Sequence, residues 1–186
     1  MRKTLWLASG CLLAAVVALR LGGALWAQAE TPKPAEGTLV MFDFEDADGL
    51  KKFDANKSEA EASTEHATSG KQSLKVTLKT GETYPGLYTE RFPTKDWIAY
   101  SKLKFDIFVD EAVTLGMTLK DVSSKDYATR YNRDKVELEK GANTVMIELV
   151  DVGDKIDLKK IKSMSLFAGK VDKNTVFYLD NVRLEK

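Results

Sequence analysis

Cysteine is almost missing from this sequence. The single one, Cys11, lies in the N-terminal apolar run, so a chain cleaved after that run has no disulfide available and must rely on its core or a metal. Histidine is as scarce, with His66 alone in a polar turn. With no thiol left, no Ser-x-Gly elbow and no glycine-rich phosphate loop ahead of a helix, nucleophilic and nucleotide chemistry find no residues to use. A basic surplus is absent too, since 28 Lys and Arg face 28 Asp and Glu. Removing residues 1–29 takes away Arg2, Lys3 and Arg20 but no acid, leaving 25 basic against 28 acidic side chains. A mildly acidic chain offers little to phosphate backbones or anionic lipid, which argues against nucleic-acid partners. Two carboxylates can serve glycoside hydrolysis, but among 28 acids some pair looks suitable by chance. Finally, no amphipathic stretch of helical period is long enough to cover a sheet.

What is present begins with an export signal. Met1-Arg2-Lys3 is a short basic start, Thr4 to Leu19 is apolar apart from small residues, and Ala27-Gln28-Ala29 is an Ala-x-Ala site. A signal peptide over 1–29, cleaved before Glu30, is the expectation, giving a secreted or periplasmic protein with no membrane contact after cleavage. The alternative is an uncleaved membrane anchor, which would bury Arg20 at about 2.5 to 3.5 kcal/mol near a helix centre. Residues 30–37 read as a Pro-containing linker and 38–186 as one domain, long enough for a single core.

Through that domain the apolar residues alternate. Leu74, Val76 and Leu78 share a face, as do Leu103, Phe105, Ile107 and Val109, then Leu115, Met117 and Leu119, then Val145, Ile147 and Leu149. The C-terminal strand, Thr175 to Leu184, sets Val176, Tyr178 and Asp180 on one side and Phe177, Leu179 and Asn181 on the other. Asp126 to Asn132 is read as a strand with Tyr127, Thr129 and Tyr131 on one side. Asp157 is expected to cap a single helical turn, followed by a strand over Met164 to Ala168. About ten short strands and almost no helix predict an all-β, two-sheet antiparallel sandwich.

Several segments, in order, resemble carbohydrate-binding modules with the galactose-binding-like jelly roll. They are Phe42-Asp43-Phe44-Glu45-Asp46, His66 through Leu74, Asp96-Trp97 ahead of Leu103 to Ile107, Gly141 to Val145, and Tyr178-Leu179-Asp180-Asn181-Val182. The resemblance implies a structural calcium ion where the first and last strands meet, held by Glu45 and Asp180, with Asp43 in reserve, together with backbone carbonyls around the Gly70-Lys71-Gln72-Ser73 turn. The rival reading is that Asp43 is a solvated turn residue and Asp180 bonds backbone amides. A carboxylate in mid-strand needs some such partner.

For a sugar ligand, the resemblance reads Trp97 as packing rather than platform. Tyr127 and Tyr131 are the stacking candidates, with Tyr88 and Tyr84 beside them. Arg133 and Asp121 would supply polar contacts, because sugar recognition joins a flat ring face to planar donors and acceptors. The expected function is an exported, noncatalytic module binding poly- or oligosaccharide. The alternative is a cell-surface or periplasmic structural domain with a protein partner.

Overall fold

The computed structural model describes residues 36–186. The expected signal peptide and most of the expected linker lie outside the described residues. In chain order the elements are β1 (Thr38–Phe42), α1 (Ala47–Leu50), β2 (Asp54–Asn56), β3 (Ser58–Ser63), β4 (Ser73–Leu78), β5 (Gly86–Thr89), β6 (Lys102–Val109) and β7 (Val113–Asp121). Then come β8 (Tyr131–Leu138), β9 (Gly141–Glu148), α2 (Leu149–Gly153), a 3-10 turn (Leu158–Lys160), β10 (Ile161–Phe167) and β11 (Thr175–Glu185).

The strands form two antiparallel sheets, as expected from the alternation. One has the order β3-β4-β11-β6-β9, with β1 pairing the second half of β11, and the other has the order β2-β5-β10-β7-β8. Their inner faces supply one core. Leu74, Val76 and Leu78 of β4, Leu103, Phe105, Ile107 and Val109 of β6, and Phe177 and Leu179 of β11 meet Leu115, Met117 and Leu119 of β7 and Met164 and Leu166 of β10. Each such side chain contributes about 1.5 to 3 kcal/mol on burial, so the period-2 pattern sets the register. Trp97 is fully buried against the edge of Phe92 at 5.3 Å, and its Nε1 donates to the Thr94 carbonyl at 3.1 Å. It is a packing residue, as read. Asp157 caps the 3-10 turn by accepting from Lys159 N at 2.9 Å.

Two local expectations change. Asn181 does not continue the inward row of β11. It adopts φ 51° inside a β-bulge, so the inward set passes from Phe177 and Leu179 to Val182 and Leu184. Asparagine is among the few side chains that tolerate this conformation. Asp126 to Arg130 is a loop, not a strand. Asp126 Oδ1 accepts from Thr129 N and Oγ1, and Thr129 Oγ1 accepts from the backbone N–H of Lys125 and Asp126. These short-range bonds occupy the donors that a ladder would need. The short elements β2 and α2 carry too few residues to show a period.

Candidate functional site

The outer face of the second sheet is a cleft of about 850 Å³. Because Leu87, Leu166 and Met117 turn inward, their strand neighbours turn outward and line up across the strands. One row runs Asp54, Tyr88, Ser165, Thr118, Asn132, from β2 to β8. The next runs Asn56, Gly86, Phe167, Gly116. A Cβ on Gly116 would stand 2.7 Å from two ring atoms of Phe167, so the glycine lets that ring lie over β7. Tyr84, on the turn before β5, meets Phe167 edge to face at 5.8 Å and 82°. Asn56 Nδ2 and Lys57 Nζ hold this turn by donating to the carbonyls of Tyr84 and Thr83, at 3.0 and 3.2 Å.

At the β8 end, Tyr127 reaches in from the loop. Its hydroxyl donates to Asp134 Oδ2 at 2.8 Å, and the Arg130 guanidinium lies 5.1 Å from its ring centre. Arg130 Nε donates to Asn132 Oδ1 at 2.8 Å, which keeps the guanidinium over the ring. Near the middle, the Tyr88 hydroxyl donates to the Glu90 carboxylate. Burial and that carboxylate push the Tyr88 phenol up to about 12, so it stays a neutral hydroxyl. The cleft therefore joins aromatic faces at its centre and its β8 end to hydroxyl, amide, carboxylate and cationic groups on its floor. Such a surface can hold a ligand that is both flat and hydroxylated.

Of the residues expected to bind sugar, Tyr88 and Tyr127 line the cleft, joined by Tyr84. Tyr131, Arg133 and Asp121 do not line it. Tyr131 begins β8 half-buried against the core, and burial raises its phenol. Since Tyr127 lies in the loop, the two rings share no strand face. Arg133 donates to the Met146 carbonyl at 2.9 Å, linking β8 to β9. Asp121 is 3% exposed and accepts from Ser123, Ser124 and the Asp157 N–H. Burial pushes its carboxyl upward, but these donors outweigh it and bring it down to about 2. Its role is to pin a turn. Sequence reasoning missed Phe167, Asp54, Asn56, Lys120 and Asp134 in the lining. For Phe167 the signal was there: with Met164, Leu166 and Ala168 inward, an aromatic on the other face of an inner strand has no packing role.

Glu45 and Asp180 converge on the same loop, residues 66–72, but through its N–H groups. Glu45 Oε1 accepts from Lys71 N and Gln72 N, both at 2.7 Å. Asp180 Oδ2 accepts from Thr68 N at 2.7 Å, Ser69 N at 2.8 Å and Thr68 Oγ1 at 3.2 Å, while Oδ1 accepts from Asn181 N. Burial raises the Asp180 carboxyl against the pull of these donors. Asp43 is exposed and accepts from Glu45 N at 3.4 Å. Calcium takes roughly six to eight oxygens. Both oxygens of Asp180 instead face N–H and O–H donors, and among the described residues no three Asp, Glu, His or Cys gather to hold an ion. In this arrangement the carboxylates do not fit a calcium shell.

No family model matches the chain, and no curated protein matches it in sequence. Solved structures do match in fold. The family 11 carbohydrate-binding module from Clostridium thermocellum, in complex with a β-1,3-1,4-mixed-linked tetrasaccharide, is 19% identical over 82% of this chain and 97% of that one, with a TM-score of 0.63. An exo-β-agarase is 17% identical over 78% of this chain but only 24% of its own, with a TM-score of 0.66. The CBM22-1 and GH10 modules of Clostridium thermocellum xylanase 10B, complexed with xylohexaose, are 13% identical over 81% of this chain and 29% of theirs, with a TM-score of 0.53. This chain therefore spans a whole module in the first case and a part of a larger protein in the other two. Its fold is that of the β-sandwich carbohydrate-binding modules.

Proposed function

We propose that the protein is an exported, noncatalytic module that holds a neutral poly- or oligosaccharide across β2, β5, β10, β7 and β8. The observation that carries this reading is the cleft's composition. Phe167 of the central strand meets Tyr84, and Tyr127 lies under Arg130 at the β8 end, with Ser165, Thr118 and Asn56 among the polar groups around them. Its charges balance, since Lys120 and Arg130 offset Asp54 and Asp134, which suits an uncharged glycan. Export follows from the basic start, the apolar run and Ala27-Gln28-Ala29.

Hydrolysis by this cleft is disfavoured by spacing. The two carboxylates that line it directly, Asp54 and Asp134, sit on opposite edge strands of the five-stranded sheet. Four strand intervals put them roughly 19 Å apart, whereas glycosidase pairs stand about 5 to 9.5 Å apart. The fold alone would not decide this, because the same sandwich serves many ligands. Titration calorimetry of the domain with mixed-linked β-glucan, xylan and agarose oligosaccharides is the test. Saturable heat with at least one series, and no reducing ends released, is the expected result. Silence with all three would move the assignment to a protein-interaction domain.

A further inference from the structure

We infer that the binding surface continues past the edge strand β8 into a second groove, so that the full site takes a glycan segment longer than the sheet is wide; this rests on the carbohydrate reading above. The second groove measures about 550 Å³. Tyr127, Arg130 and Asp134 line both it and the main cleft, and are thus a partition between two adjoining spaces rather than an outer wall. Tyr127 is 58% exposed, and its hydroxyl and ring are fixed by Asp134 and Arg130. With its hydroxyl held by Asp134 and one face under Arg130, the ring keeps its other face as a stacking surface for a passing sugar.

Direction supports the same conclusion. The polar row that starts at Asp54 ends at Asn132, which is also a lining residue of the second groove. A chain following that row across the strands is delivered to the groove when it leaves the sheet. There α2 and its C-cap present two exposed carboxylates, Asp151 and Asp154, neither of which touches the main cleft. Carboxylates facing a groove accept hydroxyl protons in charge-assisted bonds. The second groove thus adds contacts that only a longer ligand reaches, and its contribution enters as a second, tethered binding event.

The experiment compares a tetrasaccharide with the octasaccharide of the same linkage, drawn from whichever of the mixed-linked glucan, xylan and agarose series binds. Eight sugars offer about five overlapping four-sugar frames, so a statistical gain of about fivefold needs no second groove. The expected gain in the parent is tenfold or more. In Asp151→Ala/Asp154→Ala, tetrasaccharide affinity is expected to stay unchanged while the gain falls to the statistical level. Equal per-frame affinity for both lengths in the parent, or a full gain in the double variant, would overturn the inference while leaving the cleft assignment intact. No binding by either length in any series would overturn both.

Discussion

The hydroxyl of Tyr127 donates to Asp134 Oδ2 at 2.8 Å, so an aromatic ring carried by a loop is held in place by an edge strand. Two changes separate what the ring does from what its anchor does. Tyr127→Phe keeps the stacking face but frees it, and is expected to weaken glycan binding about threefold, or roughly 0.7 kcal/mol. Tyr127→Ala removes the face and is expected to cost about tenfold or more. Calorimetry with the bound oligosaccharide decides it, and an unchanged affinity in the Ala variant would remove Tyr127 from the site.

Phe167 and Gly116 are coupled in the same way. Phe167→Ala takes away the ring at the Tyr84 end of the cleft, and an anchor of this size is expected to contribute about 2 kcal/mol, some thirtyfold in Kd. Gly116→Ala is the finer probe. Its backbone does not require glycine, yet the new methyl would sit 2.7 Å from the ring, so Phe167 must tilt away. Binding is expected to fall while the melting temperature stays nearly constant. A large drop in melting temperature would mean that the glycine serves packing instead.

Asp121 is expected to act on stability rather than binding. Its carboxyl is held down to about 2, below the ordinary 3.8, by donors from Asp157, Ser123 and Ser124. With the folded value depressed, the unfolded chain binds the proton first, so the contribution is fully present above pH 3.8 and lost as pH falls towards 2. The size is about 2 kcal/mol. Asp121→Asn should therefore be less stable than the parent at neutral pH, and the two denaturant midpoints should converge near pH 2. A gap that persists there would assign the loss to altered packing.

The sandwich was legible because its inner strands bury one face, and Leu103, Phe105, Ile107 and Val109 or Leu74, Val76 and Leu78 print that demand directly on the sequence. The cleft was legible only in part. Tyr127, Thr129 and Tyr131 alternate as a strand would, but the hydroxyl and carboxylate of Thr129 and Asp126 satisfy local backbone groups and fold the segment into a loop. Spacing cannot register that competition. Asp54, Lys120 and Asp134 are polar residues on strands, and what makes them a set is the pairing of β2, β5, β10, β7 and β8, which joins residues far apart in the chain.

Asp180 poses the last question, since its position in mid-strand demanded a partner and that partner is the loop of Thr68 and Ser69, more than a hundred residues away. Nearby, Asp106 accepts from Thr68 Oγ1, Asn181 Nδ2 and Arg183, tying the same loop to the β11 bulge. Gly70, at φ +71°, lets the chain pass the Glu45 carboxylate, where a Cβ would come within 2.3 Å. Asp180→Ala leaves buried N–H groups without acceptors and is expected to cost about 3 kcal/mol. For a domain of this size that is a fall of roughly 6 to 12 °C in melting temperature. With the oxygens of Asp180 already engaged by N–H and O–H donors, neither millimolar calcium nor EDTA is expected to move the parent's melting temperature. An ion at a hundredfold excess over its Kd would add about 2.7 kcal/mol. A rise of that order in the parent, abolished in Asp180→Ala, would place calcium between Glu45 and Asp180 and show that the carboxylates turn from the loop amides to bind it.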